Sequence, residues 1–162
     1  MSESSQAARC PVPSRARELV AGEEFEYSDA FAVVVPDAAR LSAEGWARAM
    51  FTPRSFADWL FGAAWAAATG VRPPAAGRRM GVFGLVTPDA AATVLVGDSP
   101  RYRIRLVVLA DRGRVTLVTF VKSRRPVWRQ LMKPVLAAHR RVAPRLVDRG
   151  VMRSARPAGA SG

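Results

Sequence analysis

The chain has 162 residues, 49% of them hydrophobic, and a formal net charge of +12. That length supports one domain with a substantial core and does not comfortably divide into two, and the apolar content excludes a disordered or fibrous chain. The charge is uneven: residues 1–100 hold 9 basic and 11 acidic side chains, whereas residues 101–162 hold 16 basic and 2 acidic ones. Such asymmetry suits an anionic partner, although the dominance of Arg over Lys is also what a GC-rich genome would give.

Residues 1–24 are polar and broken by proline, which predicts a disordered tail. No apolar run follows a basic start, so no signal peptide is read and a cytoplasmic home is expected. Cys10, the sole cysteine, is expected as an exposed thiol in this tail, with no internal disulfide or thiolate metal site open to it. FEYSDAFAVVV, Phe25 to Val35, then places Phe25, Tyr27, Phe31, Val33 and Val35 on one face at period two, with Asp29 intruding. A helix follows in which Leu41, Trp46, Ala49 and Met50 share a side. In TPRSFADW, Thr52 is placed to cap a second helix with Pro53 in its first position, and Gly70 is placed to stop it after Thr69. This helix is apolar on most sides, which predicts one sandwiched between other elements. It is too short for a membrane span and carries Asp58.

After VRPPAAG the period changes. RMGVFGLVTPD, AATVLVGDSP, RYRIRLVVLAD and RVTLVTFVKSR read as four strands joined by short turns, hence an antiparallel meander. In the third, Arg101, Arg103 and Arg105 face one way, and Tyr102, Ile104, Leu106 and Val108 the other. One face should meet water and the other an apolar layer. In VWRQLMKPVLAAHRRVAPRLV, residues 127–147, positions 128, 132, 135, 139, 142 and 146 fall on one line of a helix. Arg129, Lys133, Arg140, Arg141 and Arg145 lie opposite with Pro134 and Pro144, which bends the helix convexly toward solvent and over the apolar side of the sheet. Residues 151–162 predict a second disordered tail.

This order is that of an α+β domain of helix-grip type across residues 25–150: a curved antiparallel sheet, two short helices after the first strand, and a long C-terminal helix packed across the sheet. HRRVAPRLV at 139–147, PVL just before it, GVF and VGD in the meander and YSDAF in the first strand together resemble a bacterial domain of unknown function, family 2867, grouped with the START-like (SRPBCC) superfamily. The resemblance implies a sheet that wraps the last helix and leaves an apolar cavity between them. It brings no characterised activity, and no cofactor is expected.

His139, the only histidine, lies on the apolar stripe, where an imidazole suits proton transfer or hydrogen bonding to a ligand. The plainer reading is an imidazole satisfied by a backbone carbonyl or a nearby carboxylate, and Asp29 is the obvious partner. Tyr27, Trp46, Trp59, Phe83, Tyr102, Ile104, Trp128, Met132, Val135 and His139 are the candidate cavity lining. Arg101, Arg103, Arg105, Lys122, Arg124, Arg125 and Arg129 form a candidate anion-binding surface. One histidine without a useful cysteine argues against a metal site. The expected role is binding a small apolar molecule. Alternatives are a cyclase- or dehydratase-like enzyme with His139 as acid or base, and a basic module for nucleic acid or an anionic membrane.

Overall fold

A computed structural model describes residues 6–53, 55–111 and 113–155. In chain order the elements are β1 (Ala8–Arg9), α1 (Ser14–Leu19), β2 (Tyr27–Val34), α2 (Ala43–Phe51) and α3 (Phe56–Thr69), then β3 (Arg79–Met80), β4 (Phe83–Asp89), β5 (Ala92–Asp98), β6 (Tyr102–Asp111), β7 (Arg114–Ser123) and α4 (Pro126–Ala155). The seven strands make one curved antiparallel sheet in the order β1-β2-β7-β6-β5-β4-β3, and α4 packs across it. The meander is present, with each of its strands beside the next in sequence. Its first segment is not one strand: Gly81, at φ +59°, supplies the left-handed residue of a two-residue turn between Met80 and Phe83.

Both faces of the sheet are apolar, against the expectation of one wet face. On the concave face Phe31, Val33, Leu95, Ile104, Leu106 and Leu117 pack under Trp46 and Met50 of α2 and under Met132, Ala143 and Val147 of α4. On the back face Ala30, Val94, Val107, Leu109, Val118 and Phe120 pack under Ala16, Leu19 and Val20 of the N-terminal segment. The expected disordered tail of residues 1–24 is thereby corrected from residue 6 onward, residues 1–5 lying outside the described ones, because residues 8–9 add an edge strand to β2 and residues 14–19 form α1. Elements of two and six residues are too short to carry a readable period, and they persist here because a sheet face is available to cover. Cys10 is half-buried rather than exposed, and its amide bonds the carbonyl of Ala30 at 2.9 Å. Phe25 lies before the start of β2, outside the alternation, and its ring packs on the back face 5.2 Å from that of Phe120.

The helix α4 runs for 30 residues, past the expected boundary at 150. Residues 156–162 of the expected C-terminal tail lie outside the described residues. Its expected stripe holds through Met132 and His139, then moves by one position to Ala143 and Val147. The cause is the 3.6-residue turn, which drifts about 20° per heptad from a fixed seven-residue line. Pro134 is exposed as expected, whereas Pro144 is half-buried. Past that point α4 lies against α2, where a Cβ on Gly150 would stand 2.8 Å from Met50 Cγ, so only glycine allows the two helices this close.

For α3 the cap is Ser55, whose Oγ accepts from the amide of Asp58 at 3.1 Å, rather than Thr52. Gly70, at φ +71°, ends the helix where expected. The helix is not sandwiched: Trp59 is 58% exposed and Leu60 52%. It is held mainly at its ends. Asp58 pairs with Arg149 of α4 at 2.6 Å, and the carbonyl of Thr69 accepts from Ser99 Oγ at 2.9 Å. Among its described side chains Trp65 and Thr69 reach inward, Trp65 onto Phe83 with ring centroids 5.2 Å apart. Among the described residues no helix is long and apolar enough to cross a membrane.

Candidate ligand site on the concave face

The register of β2 on β7 sets Asp29 directly opposite Thr119, with Tyr27 opposite Val121 and Phe31 opposite Leu117. Side chains two apart share a face, so Tyr27, Asp29 and Phe31 all point into the concave layer, and Thr119 joins Leu117 and Val121 there. Crossing β2 and β7, α4 lowers His139 onto this pair. His139 Nε2 lies 2.9 Å from Thr119 Oγ1 and 3.4 Å from Asp29 Oδ1. Tyr27 OH donates to Asp29 Oδ2. Arg140, next to His139 in α4, donates from Nε to Tyr27 OH at 3.2 Å and sets its guanidinium 5.4 Å from the centre of the tyrosine ring.

The Asp29 side chain is fully buried, yet its Oδ1 has no hydrogen-bond partner among the described residues. The 3.4 Å approach of His139 is close enough for charge attraction and too long for a full N–H···O bond. Burial works to raise the carboxyl's pKa, but His139, Tyr27 and Thr119 more than offset it, so Asp29 sits below the usual aspartate range and is ionised at neutral pH. Tyr27 moves the opposite way: burial and its bond to Asp29 raise it, so it stays a neutral donor. In a neutral ring a carboxylate facing Nε2 favours the tautomer with the proton on that nitrogen. No described residue bonds Nδ1, which in that tautomer is an acceptor.

Most of the residues expected as lining lie in the apolar layer of the concave face, Tyr102, Ile104, Met132 and Phe83 buried within it and Phe83 four strands from Asp29 in the sheet. Tyr27, Phe83, Tyr102, Ile104, Trp128, Met132 and Val135 belong to one apolar cluster with the concave face. Tyr102 OH donates to the carbonyl of Trp128 at 2.8 Å, their rings meeting edge-on at 6.4 Å. Two candidates fall elsewhere. Trp46 is sealed under α2 with Nε1 on the carbonyl of Ala38 at 2.8 Å, a core residue rather than a lining one. Trp59 points outward because α3 turns that side to solvent. Thr119 and Arg140 were not among the candidates. Thr119 had a legible signal, as the polar residue in the apolar run Val115, Leu117, Thr119, Val121, matching Asp29 in its own strand. Among the described residues no three His, Cys, Asp or Glu side chains converge as metal ligands would.

On the expected anion-binding surface most of the cations have partners within the chain. Arg105 Nε and Nη2 bond Glu23 at 3.0 and 2.8 Å, and its two Nη groups reach Asp98 at 3.3 and 3.2 Å. Arg103 lies 3.2 Å from Glu23, Arg124 3.6 Å from Asp98, Lys122 2.6 Å from Glu24 and Arg129 2.8 Å from Glu26. Arg101 stacks 4.8 Å from the Trp128 ring. Of the seven, only Arg125 has no such partner among the described residues. The acids of residues 23–26, distant in sequence, lead into β2 beside β7, so Glu23, Glu24 and Glu26 offset part of what a count along the chain leaves basic.

Fold and site together define a helix-grip-like α+β domain with an incompletely satisfied polar cluster on its concave face. No protein-family model, curated protein or solved structure matches the chain.

Proposed function

We propose that the protein binds a small, largely apolar molecule between the concave face and α4, with one polar group of that molecule seated at the Asp29–His139 pair. The observation that carries this reading is the fully buried Asp29 oxygen without a hydrogen-bond partner. Leaving such an atom unsatisfied costs about 1–3 kcal/mol, and a ligand hydroxyl offers what the site lacks: a donor for Oδ1 or for the open Nδ1 of His139. The surrounding rings and aliphatic side chains suit an apolar body. The resemblance to family 2867 of the START-like superfamily points the same way. Native mass spectrometry of protein purified from its own cells tests the reading. A co-purifying small molecule that is absent from a His139→Ala variant that still melts cooperatively supports it, and protein that is ligand-free under repeated growth conditions counts against it.

A second reading is favoured by the same imidazole. With Asp29 behind Nε2, Nδ1 can take a proton from an enolisable substrate while the carboxylate stabilises the imidazolium, as a cyclase or dehydratase requires. Turnover of the co-purified molecule that Asp29→Asn abolishes, with binding retained, separates catalysis from carriage.

A further inference from the structure

Away from the concave site, four large apolar side chains stand in solvent on two neighbouring helices: Trp59 at 58% and Leu60 at 52% on α3, Val127 at 56% and Leu131 at 55% on α4. The two pairs stand toward opposite ends of α4, Trp59 and Leu60 beside Asp58 at the Arg149 end and Val127 and Leu131 at the start of the helix. Asp58 ties the start of α3 to Arg149 at 2.6 Å, and Arg101 links its last turn to the start of α4 by donating to the carbonyl of Ala68 at 3.4 Å while lying 4.8 Å from the Trp128 ring. The helix α3 therefore runs back along α4. At 100° per residue Val127, Leu131, Pro134 and Ala138 form a line on the side of α4 turned from the sheet, and all four are exposed. Arg141 and Arg145 continue that line toward the C-terminus, Arg125 stands just before the helix and Lys133 further round it, all four exposed and without an acidic partner among the described residues. They contrast with the arginines of the sheet, which Glu23 and Asp98 neutralise.

From this arrangement we infer that the outer face of α3 and α4 docks on an anionic lipid surface. Apolar side chains enter the acyl boundary while flanking cations meet headgroup phosphates, so such a face lies on a bilayer without spanning it. Nucleic acid fits less well: phosphates would satisfy the cations and leave Leu60, Val127 and Leu131 in water. The inference does not depend on the concave site holding a ligand.

Vesicle cosedimentation tests it. The protein should sediment with phosphatidylcholine–phosphatidylglycerol vesicles at low salt, not with phosphatidylcholine alone, and its tryptophan emission should shift to the blue through Trp59, a shift that Trp59→Phe removes. Replacing Lys133, Arg141 and Arg145 together by Gln should weaken binding about 100-fold, and Leu131→Asp should weaken it about tenfold at unchanged melting temperature. No sedimentation with the anionic vesicles overturns the inference. So does equal binding by Leu131→Asp, which would leave charge alone, or preferential binding of single-stranded DNA that Leu131→Asp does not alter.

Discussion

Arg105 and Asp29 are both charges buried in the same sheet, one on each face, and they are satisfied to different degrees. Arg105 points to the back face, where Glu23 and Asp98 grip its guanidinium and the carbonyl of Ile104 accepts from Nη1 at 2.9 Å. Asp29 points to the concave face, where one oxygen accepts from Tyr27 and the other has only the longer approach of His139. A closed network of this kind fixes the N-terminal segment to the sheet. An open one is where, under the proposed function, a guest would complete the set.

The contrast breaks most readily at Arg105. Arg105→Ala should cost about 3 kcal/mol in urea denaturation, toward the low end for a broken buried pair because Glu23 and Asp98 can return to water. Limited proteolysis should then cut the N-terminal segment, and Arg105→Met, which keeps the apolar stem, should be milder. Next comes Asp29→Ala, expected to cost about 2 kcal/mol by stranding the donor of Tyr27. A loss equal to that of Arg105→Ala would show that both faces are structural devices and erase the distinction. His139→Ala should cost less, about 1 kcal/mol, while removing ligand binding, which calorimetry with the co-purified molecule measures.

The smallest effect is in acid. Because the folded pKa of Asp29 is depressed, its contribution is full above the unfolded value near pH 4 and is lost as pH falls through the folded value. Asp29→Asn should therefore show a flatter melting temperature than the wild type between about pH 4 and pH 2. A parallel decline in the two proteins would place the acid sensitivity in other carboxylates.

The concave site was partly legible. Asp29 breaks a period-two run, His139 sits on a helical stripe, and their meeting follows from two apolar surfaces that must face each other. Thr119 left the same trace in β7, but that it stands beside Asp29 depends on register, which no strand contains alone. The exposure of α3 was illegible for the opposite reason: an Ala- and Trp-rich helix has the composition of a buried one, and only the distance to its neighbours leaves Trp59 and Leu60 in solvent.

Local periodicity by itself determined the α+β order, the meander and the apolar line of α4, because side-chain direction along one helix or strand is set by backbone geometry. Only the tertiary structure decided which charges meet. Glu23 reaches Arg105 across 82 positions, and the halves that differ so sharply in charge along the chain are folded onto each other in space. Coulombic pairing acts through ångströms rather than through sequence separation, so the same fold that pairs the arginines of the strand face leaves Lys133, Arg141 and Arg145 of α4 without an acidic partner among the described residues.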